Sequence, residues 1–412
     1  MLNNFASIHE KYSKQITLFN YLIKSHLIQN SIPAVSANKE RRIDMKKVML
    51  MPFLQLSTGH HQVAKSFISW LKIYDPTIKC ETVDIFSYAY GNMENLVSNI
   101  YMKSIVSIPS FYSWLYKKNA FENHEKNRFR AYELLFERAM LKLLDEQQPD
   151  CVICTHCLPS YILSCLKQKK VISIPIVNVY TDFFINTIWG KQGIDFHLVP
   201  DTPLKQALMD KGIKREKIIV TGIPVHPLIK RSEKLKVSTS ERLTILVSGG
   251  SLGVGQLKYF LAAIRPNRYL QYKILCGKNT QLYQMVKALN HQNIIPLKYI
   301  ESRREMDVLY RQSDGIITKP GGVTISEGLY KKIPLFLYDP LPGQEEMNLQ
   351  YLKSQGLAFH LHNWKTKRPI ENQIFSSLNS HTKINDLENR LNQYHDQIAE
   401  NELLKFFPRI IN

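Results

Sequence analysis

From Lys47 onward, short apolar runs alternate with longer stretches of helical period, and no other feature narrows the fold as much. Residues 48–54 read as a buried strand, 59–73 as a helix, and 78–85 as a second strand closed by Asp84. A long helix over 131–147 and a strand over 151–154 follow, then strands at 174–179, 196–199 and 218–221. Such alternation builds a parallel sheet with helices on both faces. The pattern breaks over 226–241, which carries prolines and then turns rich in Lys, Arg and Ser, as interdomain linkers do. It restarts with a strand at 243–247, followed by strands at 272–275, 294–297, 315–318 and 334–337. The expected fold class is α/β, with one parallel-sheet unit over 45–228, a linker over 229–241, a second unit over 242–385 and a C-terminal helix over 386–412. Residues 1–44 lack the pattern and read as a poorly ordered N-terminal extension, with Met45 as an alternative start. Two tandem units leave a cleft between them, a favoured place for ligands.

The 412 residues, 44% of them apolar, suffice for two globular cores. Lys and Arg number 54 against 35 Asp and Glu, a net charge of +19. A surface of that sign attracts phosphates, whether on a lipid head, a nucleic acid or a charged small molecule. The basic residues are dispersed and no groove-reading module is recognisable, so nucleic acid is not an expected partner. No run of about 18 apolar residues is present, so no membrane-spanning helix is expected. No apolar leader core with a small-residue cleavage site is seen, and the chain is expected to stay in the cytosol with reduced thiols. Cys151, Cys154 and Cys157 flank His156 in a C-x2-C-x-H-C pattern, with Cys165 nearby. That spacing raises zinc or iron–sulfur ligation. A strand over 151–154 would not aim these sulfurs at one point, so small buried cysteines are preferred and no metal is expected.

Four motifs carry chemistry. Ser57-Thr58-Gly59-His60-His61 follows the first strand and opens a helix, which sets backbone N–H groups and an adjustable base at the cleft edge; two surface histidines in a capping turn are the plainer alternative. Thr181-Asp182-Phe183-Phe184 with Asn186 and Trp189 follows another strand, where Asp182 can orient His60, contact an acceptor hydroxyl or simply cap a turn. Ser248-Gly249-Gly250-Ser251 offers amides to a diphosphate and is not a Walker loop, because no Gly-Lys-Ser/Thr follows. The most specific is Lys319-Pro320-Gly321-Gly322-Val323-Thr324-Ile325-Ser326-Glu327, followed by Pro342-Gly343-Gln344-Glu345-Glu346-Met347-Asn348. There a strand ends, two glycines turn and a helix begins, presenting free N–H groups to an anion. Glu327, one turn in, can grip a ribose diol, and Gln344, Glu345 and Asn348 suit sugar hydroxyls.

Taken together with Thr221-Gly222-Ile223-Pro224, these motifs resemble the glycosyltransferase family 28 enzymes over about residues 45–380. The resemblance is closest to the processive diacylglycerol glucosyltransferases and monogalactosyldiacylglycerol synthase, and more distant to the peptidoglycan N-acetylglucosaminyltransferase. It implies a GT-B architecture of two Rossmann-like domains facing across a cleft, and inverting transfer without a metal ion or other cofactor. It implies an acceptor-binding first half with His60 as base and Asp182 beside it, while Gly59 at the same turn is expected to bind the nucleotide-sugar. In the second half it implies a UDP-sugar held by Gly249, Gly250, Ser251, Ile300 at the nucleobase, Lys319, Gly321, Gly322, Thr324, Glu327, Gln344, Glu345 and Asn348. The chain has Ser57-Thr58-Gly59-His60 where the family usually has Gly-x-Gly-His, and Asn186 where diacylglycerol enzymes often show a histidine. No two aspartates stand two apart, so a D-x-D metal clamp is absent from the sequence.

Residues 92–120 are rich in Tyr, Phe, Trp, Ile and Val and include Lys103, Lys117 and Lys118. Such a stretch suits an anionic membrane surface, or else a buried helix pair. The expectation is a hexosyltransferase with a UDP-sugar donor and a membrane-lipid acceptor, peripheral on the inner face of the cell membrane. A UDP-N-acetylglucosamine 2-epimerase-like enzyme and a non-catalytic nucleotide-sugar or anionic-lipid binder are the alternatives.

Overall fold

The computed structural model describes residues 46–53, 59–91, 129–235, 241–249, 257–265, 267–338, 340, 343–364, 369–398 and 401–411. The expected extension over 1–44, the aromatic stretch 92–120, and Gly250 and Ser251 lie outside the described residues. Two parallel sheets of six strands each carry the fold. The first holds β1 (Lys47–Met51), β2 (Lys79–Thr82), β3 (Cys151–Cys154), β4 (Ile176–Val179), β5 (Phe196–Val199) and β6 (Ile218–Val220). The second holds β7 (Leu243–Ser248), β8 (Leu270–Leu275), β9 (Ile294–Leu297), β10 (Gly315–Thr318), β11 (Leu335–Leu337) and β12 (Phe359–His360). The helices of the first half are α1 (Gly59–Tyr74), α2 (Ile85–Tyr90), α3 (Arg130–Gln147), α4 (Cys157–Gln168) and α5 (Thr202–Met209). Those of the second half are α6 (Leu257–Ala263), α7 (Thr280–Ala288), α8 (Arg303–Arg311), α9 (Gly322–Tyr330), α10 (Gln344–Ser354) and α11 (Ile370–Leu378). The chain closes with α12 (His381–Asp396), α13 (Glu402–Phe406) and α14 (Pro408–Ile411). The architecture is the two-Rossmann-domain GT-B fold.

The central strands read as unbroken apolar runs because helices cover both sheet faces. All four residues of β3 are buried. Cys151 and Ile153 pack with Val48 and Leu50, while Val152 and Cys154 pack with Met49 and Met51 on the opposite face. The period of two thus sends the sulfurs of Cys151 and Cys154 into different clusters, and both are free thiols. Burial pushes the Cys151 thiol up to about 12 and the Cys157 thiol up to about 12, so neither is a ready thiolate.

Strand order fixes where a ligand can sit. The first sheet runs β2-β1-β3-β4-β5-β6 and the second β12-β11-β10-β7-β8-β9. Order reverses between β1 and β3 in one and between β7 and β10 in the other, and crevices open beyond the carboxyl ends of strands at such points. The Gly59-His60 turn follows β1, and the Lys319–Gly322 turn follows β10.

Strand β12 was not expected, and two further elements differ from expectation. Asp84 does not close a strand: its carboxylate accepts the Phe86 N–H at 2.9 Å and caps α2. The C-terminal helix starts earlier and is interrupted. Ser380 caps α12 at its first turn, Asn401 adopts a left-handed φ of 59°, and Pro408 opens α14. The tail then returns to the first half, where Phe407 meets the rings of Phe67 and Tyr74 at 5.5 Å each. Phe406 meets Phe196 at 5.2 Å, and Arg409 lies 4.6 Å over that same ring. The linker is bolted from the other side, with Arg231 donating to the His395 carbonyl at 2.8 Å and the Ile398 carbonyl at 3.0 Å.

Candidate active site

The two halves meet tightly at the start of α9. A Cβ added to Gly322, the first residue of α9, would lie 1.9 Å from the carbonyl oxygen of Thr181, the second residue past β4. One at Gly59 would lie 3.5 Å from Val323 Cγ2. The N-termini of α1 and α9 therefore open onto a shared crevice, one from each half.

His60 is the second residue of α1 and half-buried. Its Nδ1 stands 2.8 Å from the Thr155 carbonyl oxygen and 2.9 Å from Thr181 Oγ1. A carbonyl can only accept, so Nδ1 carries the hydrogen and Nε2 keeps the lone pair. The Thr181 hydroxyl then accepts from the ring and donates to Asp182 Oδ2 at 3.3 Å. Asp182 therefore reaches His60 through Thr181 rather than directly. A second imidazole, His156, lies edge-to-face with His60 at 4.9 Å and stacks on Phe53 at 4.8 Å. Its Nδ1 accepts the Leu158 N–H at 3.2 Å and so caps α4. Burial first, then the neighbouring His60 and His61, drive the His156 imidazole well below its usual range, which keeps it neutral.

Asn348 is 1% exposed and locks the seam. Its Oδ1 accepts the Phe183 N–H at 2.9 Å, and its Nδ2 donates to Asp182 Oδ1 at 2.9 Å and the Pro320 carbonyl at 3.0 Å. The amide expected at the sugar is thus engaged between the two halves. Asn186 is also engaged, its Oδ1 accepting the N–H groups of Ile188 at 3.1 Å and Trp189 at 3.3 Å.

On the second half, Gly321 caps α9 without a side chain, which leaves the first amides of the helix for an anion. Lys319, 7% exposed, precedes this turn. Burial lowers its ammonium pKa, while Glu345 in the first turn of α10 acts the other way. Glu327 is 4% exposed. Its Oε2 accepts the Tyr310 hydroxyl at 2.6 Å, and Arg303 Nη1 stands 3.4 Å from Oε1. Burial pushes the Glu327 carboxyl up, and Arg303 and the Tyr310 hydroxyl oppose that shift. Arg303 Nη2 donates to Gln62 Oε1 on α1, across the crevice.

The remaining expected residues lie in the loops and helix starts of the second half. Gly249 ends the described part of its turn, buried just past β7; Thr324 is half-buried in the first turn of α9. Ile300 is half-buried between β9 and α8, beside Tyr299, over whose ring Lys278 sits at 5.2 Å. Gln344 and Glu345 open α10 behind Gly343, whose φ of 92° favours glycine. Thr155, Thr181, Gln62, Arg303 and Tyr310 were not among the expected site residues. Thr181 and Gln62 stand inside or beside motifs and so carried a signal, whereas Thr155, Arg303 and Tyr310 did not.

Comparison with known proteins identifies the two halves separately. The family model described as monogalactosyldiacylglycerol (MGDG) synthase matches residues 60–225, and that of the glycosyltransferase family 28 C-terminal domain matches residues 244–400. The uncharacterized glycosyltransferase YkoN of Bacillus subtilis (strain 168) is 40% identical, covering 89% of this chain and 98% of its own. A processive diacylglycerol beta-glucosyltransferase of Bacillus cytotoxicus is 32% identical over 73% of this chain and 78% of its own. Among solved structures, Acinetobacter baumannii MurG superposes with a TM-score of 0.56 at 16% identity, covering 89% of this chain and 99% of that one. The S. aureus MnaA–UDP co-structure superposes with a TM-score of 0.51 at 12% identity, covering 89% of this chain and 98% of that one.

Proposed function

The chain belongs to glycosyltransferase family 28 and is a glycosyltransferase, and from that premise we propose that it moves a hexose from a UDP-sugar to a hydroxyl of a membrane lipid such as diacylglycerol. The relatives named as diacylglycerol glucosyltransferases support the lipid acceptor and a place in glycolipid synthesis. The observation that carries the reading is the contact of Thr181 with Gly322, which sets a tautomer-locked base and an uncapped helix N-terminus on the two walls of one crevice.

In the proposed step the acceptor oxygen attacks the anomeric carbon as the bond from that carbon to the diphosphate oxygen breaks. The acceptor proton passes to His60 Nε2, and UDP leaves with the electron pair. A single displacement inverts the anomeric centre. The developing charge is met by the amides and dipole of α9, by Lys319 and by the glycine turn after β7, so no metal ion is required. Thr181 and Asp182 steady the imidazolium, Gln344 and Glu345 take the sugar hydroxyls, and Glu327 takes the ribose diol. Asn348 contributes by holding the Asp182 and Phe183 loop against Pro320.

Incubation with UDP-glucose, UDP-galactose or UDP-N-acetylglucosamine and a membrane lipid extract, read by mass spectrometry, tests the reading; no glycosylated lipid with any donor removes the lipid acceptor. Glu327→Ala is expected to weaken UDP binding about 100-fold or more, since two hydrogen bonds to a charged group, each worth about 1.5–3 kcal/mol, are lost. Unchanged affinity by calorimetry removes the ribose assignment. We further propose a cytoplasmic, peripheral membrane location, supported by the net charge of +19. The protein is expected to float with anionic liposomes at low salt and to release as salt rises; failure to float at low salt points to a soluble acceptor.

A further inference from the structure

One side chain of the crevice touches both halves and belongs to none of the motifs. Arg303 is the first residue of α8, behind the Ser302 cap. One guanidinium nitrogen faces Glu327 Oε1 at 3.4 Å, and the other donates to Gln62, two residues past His60 on α1. We infer that Arg303 is a positioning residue, whose guanidinium holds the charge on Glu327 for the donor's ribose and ties that carboxylate to the helix that bears the base. The inference rests on the ribose assignment of Glu327.

The physical need is plain. A carboxylate accepts both hydroxyls of a diol, whereas a carboxylic acid must present a donor to one of them. Glu327 is 4% exposed, and burial disfavours its charged form. The groups facing it from the packed elements are few. From α8 come Arg303 and the Tyr310 phenol. Asp307 on α8 is paired with Lys331, just past α9, at 2.9 Å and with Arg311 at 3.1 Å, and neither of those cations shifts the Glu327 carboxyl. From α1 comes the uncharged Gln62. From the linker, His226 is depressed by burial and then by Arg303 itself. Arg303 is thus the cation that offsets burial at Glu327.

The sign follows. Without Arg303 the Glu327 carboxyl protonates at a higher pH, so UDP affinity falls as pH drops through that raised value. At the alkaline end Glu327 stays ionised and the loss disappears.

Calorimetry of UDP binding from pH 8 to 5.5, on wild type, Arg303→Gln, Arg303→Lys and Glu327→Ala, tests this. The ratio of variant to wild-type Kd at each pH cancels the nucleotide's own titration. For Arg303→Gln that ratio is expected to rise as pH falls, approaching about tenfold for each step of one in pH once below the raised pKa, because the ionised fraction of a carboxyl falls at that rate there. Arg303→Lys is expected to bring the ratio back toward a flat line, which repair of packing alone would not do. A flat ratio for Arg303→Gln, with Glu327→Ala still weakened, overturns the inference and leaves the ribose assignment standing. An unweakened Glu327→Ala removes that assignment, and the role of Arg303 falls with it.

Discussion

His60→Ala is expected to lower sugar transfer about 10²- to 10⁴-fold, the usual contribution of a positioned general base, while UDP affinity stays near wild type. The asymmetry follows from position. His60 sits on the first half, and its ring hydrogen bonds run to Thr155 and Thr181, not to α9, Lys319 or Glu327. The Thr155 carbonyl fixes which nitrogen carries the hydrogen, so the ring is already in the tautomer that accepts a proton at Nε2. Single-turnover transfer measured beside UDP calorimetry separates the two effects. A variant that keeps more than about a tenth of wild-type transfer, far above what loss of a base allows, removes the assignment.

Gly322→Ala is expected to be the most damaging small substitution in the crevice. The added carbon would sit 1.9 Å from a backbone oxygen, so the contact cannot be relieved by turning a side chain. Either α9 or the Thr181 loop must move. That loop is pinned by the Thr181 contact with His60 and by Asn348, which holds Asp182 and Phe183. Overpacking of this kind costs about 1–3 kcal/mol, a drop in Tm of a few degrees. A shift of about 1 Å between base and helix terminus would add a loss of about 100-fold in transfer. Gly321→Ala is the matched control: nothing lies within 4 Å of a Cβ there, and its φ of −89° suits any residue. It is expected to cost only about 1 kcal/mol, because alanine caps a helix less well than glycine but meets no neighbour here. Equal behaviour of the two alanine variants would show that the halves do not meet as described.

Much of this was legible along the chain. The strand at residues 315–318 and the Gly-Gly turn after it follow from local rules, an apolar run stopped by a proline and two glycines. The strands over Cys151–Cys154 and Phe196–Val199 were equally plain. Strand β12 was not, because two paired residues at a sheet edge carry no periodicity. Asp84 misled because an aspartate after an apolar run ends a strand and caps a helix equally well. Asn348 reads as a sugar-binding amide beside Gln344 and Glu345, yet its acceptor is filled by Phe183, 165 residues away. Arg303 and Gln62 are 241 residues apart, and nothing local to either announces the other. Composition and period describe surfaces and cores; which two surfaces touch is a property of the closed fold.

The return of the tail to the first half bears on how the enzyme could be taken apart. Phe406 and Phe407 fill space against Phe67, Tyr74 and Phe196, so the last dozen residues serve the opposite half as ballast. Severing the chain near residue 235 would therefore not release two finished pieces. The leading piece would show a bare aromatic patch to water, and the trailing one would carry its plug away. Any movement between the halves carries both straps with it.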